Sequence, residues 1–237
     1  MNNSQSRNNV TLALCALIGS FSATLAMNFL RKNSKHDNDY DDHIHHIITT
    51  RRTTSVFEPD LPDDWENILK KAIQAAITAP NHKRTEPWRF YVPSRKTIVD
   101  ICELNASIVA EGNGGAKAGE AKLKKWLKIP GWVVVTCKKE NNEEGKDVDM
   151  SDPKGKARED YAAVCCAIQN LCLSLHSNGL STKWTTGKVN FDKRFDSLVG
   201  IPTDEYVVGT IFFGKPTKKP STRETKLTSD DVLHIEQ

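Results

Sequence analysis

Apolar positions recur along this chain with two different spacings, and the spacing separates helix from strand. Ile68, Leu69, Ala72, Ile73, Ala76 and Ile77 fall three and four apart, which lines them up as one stripe of an α-helix. Asp63 and Glu66 have capping-box spacing at its start. Pro80 forces its end near Ala79, because proline has no N–H to donate and disfavours α geometry before it. Asn81, His82 and Lys83 follow as a loop, and Trp88 to Val92 reads as the first strand. Ile98 to Leu104 and Ala116 to Leu127 predict helices, the second with a lysine-rich outer face. Trp132 to Cys137 is an unbroken apolar run of strand length, suited to cover on both faces. Asp160 to Asn178 is the longest helical pattern, apolar around most of its girth and therefore buried, with Gly179 as a left-handed C-terminal cap. A short helix around Phe191 to Leu198 and a strand from Tyr206 to Phe213 complete the pattern. Helices and strands do not alternate strictly, so the class is α+β rather than a doubly wound sheet.

Two stretches fall outside that pattern. Val10 to Leu30 carries no charge and is followed by Arg31 and Lys32. Its length matches a bilayer core, which takes about 20 apolar residues. It reads as a membrane anchor, as a signal peptide cleaved near Thr24 and Ala26, or as an organellar presequence, since no acidic residue precedes Asp37. The basic residues behind it favour a cytosolic position for the remainder of the chain, with organelle or secretory pathway as alternatives. Ser34 to Thr50 is polar and rich in Asp and His and reads as a linker, its histidines (His43, His45, His46) solvated. The expected organisation is therefore 1–33 anchor or targeting segment, 34–47 linker and 48–237 folded body. Glu140 to Arg158, charged and containing Gly and Pro, reads as a surface excursion, a plain loop or a lid.

Composition removes several function classes. Thirty-three basic and 30 acidic residues leave a net charge of +3, too balanced for nucleic acid as a partner. Cys15, Cys102, Cys137, Cys165, Cys166 and Cys172 form no C-x-x-C pair and no zinc spacing, so no metal is expected and the cysteines read as reduced thiols. Gly112, Gly114 and Gly115 make neither a dinucleotide-binding fingerprint nor a P-loop, and no G-x-S-x-G elbow is present. What remains is three loops beside structural breaks. Arg51-Arg52-Thr53-Thr54-Ser55 offers guanidinium groups and hydroxyls that suit a phosphate ester. Thr78 to Lys83 and Trp184-Thr185-Thr186-Gly187 add polar groups and an aromatic ring, a set that suits a flat tricyclic ring with a phosphorylated tail.

The order RRTTS, APNHKRTEPWRFYV, KWTTG and VVGTIFFGKP resembles the nitroreductase family, in particular the compact NAD(P)H nitroreductases of the YdjA type, from about Ile48 to Thr222. The resemblance implies a nitroreductase-like central mixed or antiparallel sheet flanked by helices, in a homodimer with FMN at the interface. NADH or NADPH would supply electrons to a nitroaromatic, quinone or similar small-molecule acceptor. It implies that Arg51, Arg52 and Thr53 hold the FMN phosphate and ribityl chain, that His82 contacts the flavin, and that Trp184, Thr185 and Thr186 lie beside the isoalloxazine or its tail. Thr78 and Thr185 stand where these relatives carry arginines, which makes the site less cationic; Lys218, Lys219 or Arg223 are the candidates to offset that. No catalytic side chain is required, since the flavin carries the chemistry. Alternatives within the same resemblance are a membrane-anchored dehalogenase or dehydrogenase and a non-enzymatic flavin-binding module.

Overall fold

A computed structural model describes residues 42–112, 114–139, 155–218, 220–221 and 224–235. Residues 50–237 form one compact unit and residues 1–49 another. Residues 42–50, in the stretch expected as a linker, are helical (α1).

The sheet has four strands, β1 (Trp88–Tyr91), β2 (Gly131–Lys138), β3 (Ser181–Thr185) and β4 (Glu205–Gly214). They lie in the order β1-β2-β4-β3, with every neighbouring pair antiparallel. The α+β reading therefore holds. β2 is central and buried on both faces, as its unbroken apolar run implied. Alternate residues point to opposite faces of a strand. Val133, Val135 and Cys137 accordingly join one core with α2 (Trp65–Ala76) and α5 (Lys156–Ser177). Trp132 and Val134 join a second core containing residues of α3 (Arg95–Glu111), α4 (Gly115–Trp126) and α6 (Lys193–Val199). Trp132 meets Phe212 and Trp126 at ring-centroid distances of 4.4 and 5.4 Å. Such pairs add about 1 kcal/mol beyond area burial.

α5 carries Val164, Ile168, Leu171 and Leu175 fully buried against the sheet. Each burial is worth about 2 kcal/mol. Its end is set by chemistry foreseen in the sequence. Gly179 takes φ 78°, and Leu180 N–H reaches back to the Leu175 carbonyl at 3.0 Å, a Schellman closure. The start of α2 differs from expectation. Its N-cap is Asp64 at φ −94°, ψ 14°, not in the extended geometry a cap needs, and no side chain caps the helix. The Asp63–Glu66 box does not form.

One expectation is corrected outright. Crossing a bilayer takes about 20 consecutive apolar residues in a helix. Among the described residues no helix is long and apolar enough to do so. Even α5, at 22 residues, opens with Lys156, Arg158, Glu159 and Asp160. The reading of a membrane-anchored protein with a cytosolic body is set aside. The apolar stretch 10–30 and residues 140–154 of the expected excursion lie outside the described residues.

Candidate functional site

The arginine-bearing segment is fixed by backbone pairing. Thr53 forms a parallel bridge with Thr182 of β3, and Thr54 N–H donates to the Thr182 carbonyl at 3.0 Å. This extends the sheet by one short edge segment. Just before it, the Thr50 hydroxyl lies 2.9 Å from His176 Nε2, which ties the segment to the C-terminal end of α5. Arg51 and Arg52 are half-buried, Thr53 is exposed, and an Arg52 Nη donates to the Arg51 carbonyl at 2.8 Å. The Thr54 hydroxyl is buried with no hydrogen-bond partner.

β3, a strand not foreseen in the sequence, carries Trp184 and Thr185, and Thr186 follows it directly. The Trp184 ring is 38% exposed. It lies across Gly209 of the neighbouring strand so closely that a Cβ there would overlap its Nε1. Asn190 Nδ2 donates to the Thr185 carbonyl at 3.3 Å and to the Thr210 hydroxyl at 3.1 Å, pinning the end of β3. Arg51–Thr53 thus lie against the first residues of β3, and Trp184–Thr186 stand at and just beyond its last.

His82 and Thr78 stand on other elements, Thr78 just past the end of α2 and His82 in the turn before β1. Thr78 is exposed, and its hydroxyl folds back onto the Ala75 carbonyl at 2.8 Å. His82 is exposed at the start of a single 3-10 turn, His82–Arg84. Lys83, Arg84 and Glu86 all take positive φ (55°, 53° and 46°). For residues with a Cβ each such conformation costs about 1 kcal/mol or more and persists only where surrounding bonds impose it. Here the bonds are Glu86 N–H to Asn81 Oδ1 at 3.1 Å, an Arg89 Nη to the Glu86 carbonyl at 2.9 Å, and the Thr85 hydroxyl to the buried Asp160 carboxylate at 2.5 Å. Asp160 sits near the N-terminal end of α5, and His176 near the other. At 1.5 Å per residue about 24 Å of helix separates the two anchor points.

Sequence reasoning missed a group of lysines beside β3. It read the lysines of α4 as a solvated face. In the structure Lys122 lies 5.7 Å from the Trp126 ring centre and, with Lys188, lines a cavity of about 320 Å³ that reaches Thr185. Burial pushes the Lys183 ammonium below its ordinary pKa, and Lys125 and Lys122 push it further the same way. Positive charge is therefore concentrated next to the strand that carries Thr185. Of the compensating cations expected in the tail, Lys218 is exposed, and Lys219 and Arg223 lie outside the described residues.

The chain belongs to the nitroreductase family, whose model matches residues 48–215. YfhC of Bacillus subtilis, named as a candidate NAD(P)H nitroreductase, is 27% identical over 184 residues, spanning 75% of this chain and 87% of YfhC. The crystal structure of a nitroreductase-like family protein from Bacillus cereus matches with TM-score 0.64 at 26% identity, over 82% of this chain and 96% of that one. A nitroreductase from Bacteroides fragilis, crystallised with bound FMN, shares the fold at TM-score 0.59 and 18% identity, over 81% of this chain and 98% of that one.

Proposed function

We propose that this chain is an FMN-dependent oxidoreductase that takes reducing equivalents from NADH or NADPH and delivers them to a nitroaromatic, quinone or similar small acceptor. The reading is carried by the seating of Arg51–Thr53 against β3, the strand that also carries Trp184 and Thr185. Arginine's planar fork suits phosphate oxygens, and an aromatic edge with hydroxyls suits a flat polar ring. The buried, unpartnered Thr54 hydroxyl fits the same picture, because an orphaned polar group costs about 1–3 kcal/mol unless a ligand satisfies it.

Arg51, Arg52 and Thr53 would bind the phosphate and ribityl chain. Trp184, Thr185 and Thr186 would flank the ring, and Lys125 and Lys183 would supply the positive charge that Thr78 and Thr185 withhold. Bound there, FMN supplies hydride transfer from the nicotinamide and onward reduction of the acceptor. The chain's own part is to orient both partners and to offer fixed positive charge where negative charge accumulates. His82, whose turn is anchored at the opposite end of α5 from the arginine segment, would serve the site of a second copy. The working form is then a homodimer with two sites between subunits. FMN in the Bacteroides fragilis relative supports this assignment. The flavin-binding body is taken as residues 48–237, with 1–33 and 34–47 outside it.

The test is a titration of the purified full-length chain with FMN, followed by NADH or NADPH without air. The expected result is a yellow complex with one FMN per chain that either donor bleaches. Arg51→Ala with Arg52→Ala should weaken FMN binding by about 10²-fold, since each lost charge-assisted bond is worth about 1.5–3 kcal/mol. A chain that leaves FMN unbound refutes the proposal.

A further inference from the structure

The cavity beside Thr185 has the chemistry of an anion site with apolar walls. Asn105 lines it and is only 4% exposed, yet its amide nitrogen has no hydrogen-bond partner. A buried donor left empty in this way is costly and asks for an acceptor. The cavity's two cations, Lys122 and Lys188, have no carboxylate within 4.0 Å among the described residues, where the α4 neighbour Lys124 pairs with Glu120 at 2.6 Å. The polar lining is mostly donors. Asn105 and the two lysines all present N–H, and the Thr185 carbonyl already accepts from Asn190. The remaining wall comes from Ile108, Val109 and Trp126, together with Gly112 and Gly187. At about 320 Å³ the space is at the small end for a ligand pocket, enough for one substituted aromatic ring.

We infer that this cavity selects the electron acceptor, and that it favours an aromatic acceptor bearing a carboxylate or similar anionic group, held by Lys122, Lys188 and the Asn105 amide. This rests on the flavin reading above, because Thr185 places the cavity next to the strand that would carry the flavin ring. The phosphate of the cofactor is accounted for by Arg51, Arg52 and Thr53, which leaves these donors for a different anion.

Two measurements on the full-length chain test it. The first uses benzoate, which is not reduced, and follows tryptophan fluorescence, since Trp126 forms part of the wall; it needs neither flavin nor electron donor. Saturable quenching by benzoate but not by benzamide is expected, and Lys122→Gln and Lys188→Gln should each weaken it about tenfold or more, the value of a charge-assisted hydrogen bond. The second compares KM for 4-nitrobenzoate and 4-nitrobenzamide in the FMN-loaded protein. The carboxylate should have a KM about tenfold lower, and that ratio should fall toward one in both variants. A wild-type ratio near one, or benzoate quenching that both variants retain, overturns the inference. If the protein takes no FMN, the proposed function fails, and the benzoate measurement still shows whether an anion site exists.

Discussion

If each flavin site draws its arginines from one chain and His82 from another, two defective chains can repair each other. Arg51 and Arg52 are tied to the C-terminal end of α5 through the Thr50–His176 contact, and the His82 turn to its N-terminal end through Thr85 and Asp160. About 24 Å of helix rise lies between. Let one variant carry Arg51→Ala and Arg52→Ala, and a second carry His82→Ala. The first should bind FMN about 10²-fold more weakly, and the second about fivefold, the value of one hydrogen bond to a neutral group. Co-expression in equal amounts makes about half of all dimers mixed. In a mixed two-fold dimer both lesions fall in one site and the other site is intact, so about a quarter of all sites recover. Titration of the mixture with FMN should show a tight phase of that amplitude at the wild-type dissociation constant. If site and chain coincide, every site in the mixture carries one lesion or the other, and no tight phase appears. A titration with only the parental affinities therefore refutes the two-chain site.

Gly209→Ala should displace the Trp184 ring, because the new Cβ would overlap its Nε1 and come within 3.2 Å of the Thr185 carbonyl oxygen. Overpacking of this kind costs about 1–3 kcal/mol, to be read from the urea midpoint, with a shift in tryptophan emission and weaker FMN binding; an unchanged emission would show that the indole does not lie there. The cysteines should separate by reactivity. Burial pushes the Cys102 and Cys137 thiols up to about 12, so at pH 8 about one in ten thousand is thiolate. Because these values are raised, moving from pH 7 to 10 should leave both unlabelled by iodoacetamide, whereas exposed Cys166 takes the label; modification of Cys102 or Cys137 in the folded chain, read by mass spectrometry, would contradict the burial.

How much of this was legible in the residues depends on range. The apolar girth of α5 and its Gly179 terminus are local facts, and the structure keeps both. β3 is not local. Ser181 to Thr185 becomes a strand only because β4 pairs along one side and Thr53 bridges at the other. α3 runs over Arg95–Glu111, beyond the expected Ile98 to Leu104. Ser94 caps it by accepting Thr97 N–H at 3.2 Å, and the polar Asn105, which interrupts the apolar stripe, is buried rather than exposed. The same holds for the site. Arg51, Arg52 and Trp184–Thr186 stood out through family resemblance, whereas Asn105, Lys122 and Lys188 come from three distant stretches that only the folded chain joins. No local pattern marks such a cluster.

The left-handed turn after His82 also has a bearing on the order in which the molecule assembles. Lys83, Arg84 and Glu86 gain nothing from their backbone angles alone, and one of the bonds that hold them comes from a carboxylate on a helix some 75 positions later in the chain. The loop can reach its final form only after that helix has docked. A ligand that relied on His82 would therefore recognise finished molecules and pass over half-assembled ones.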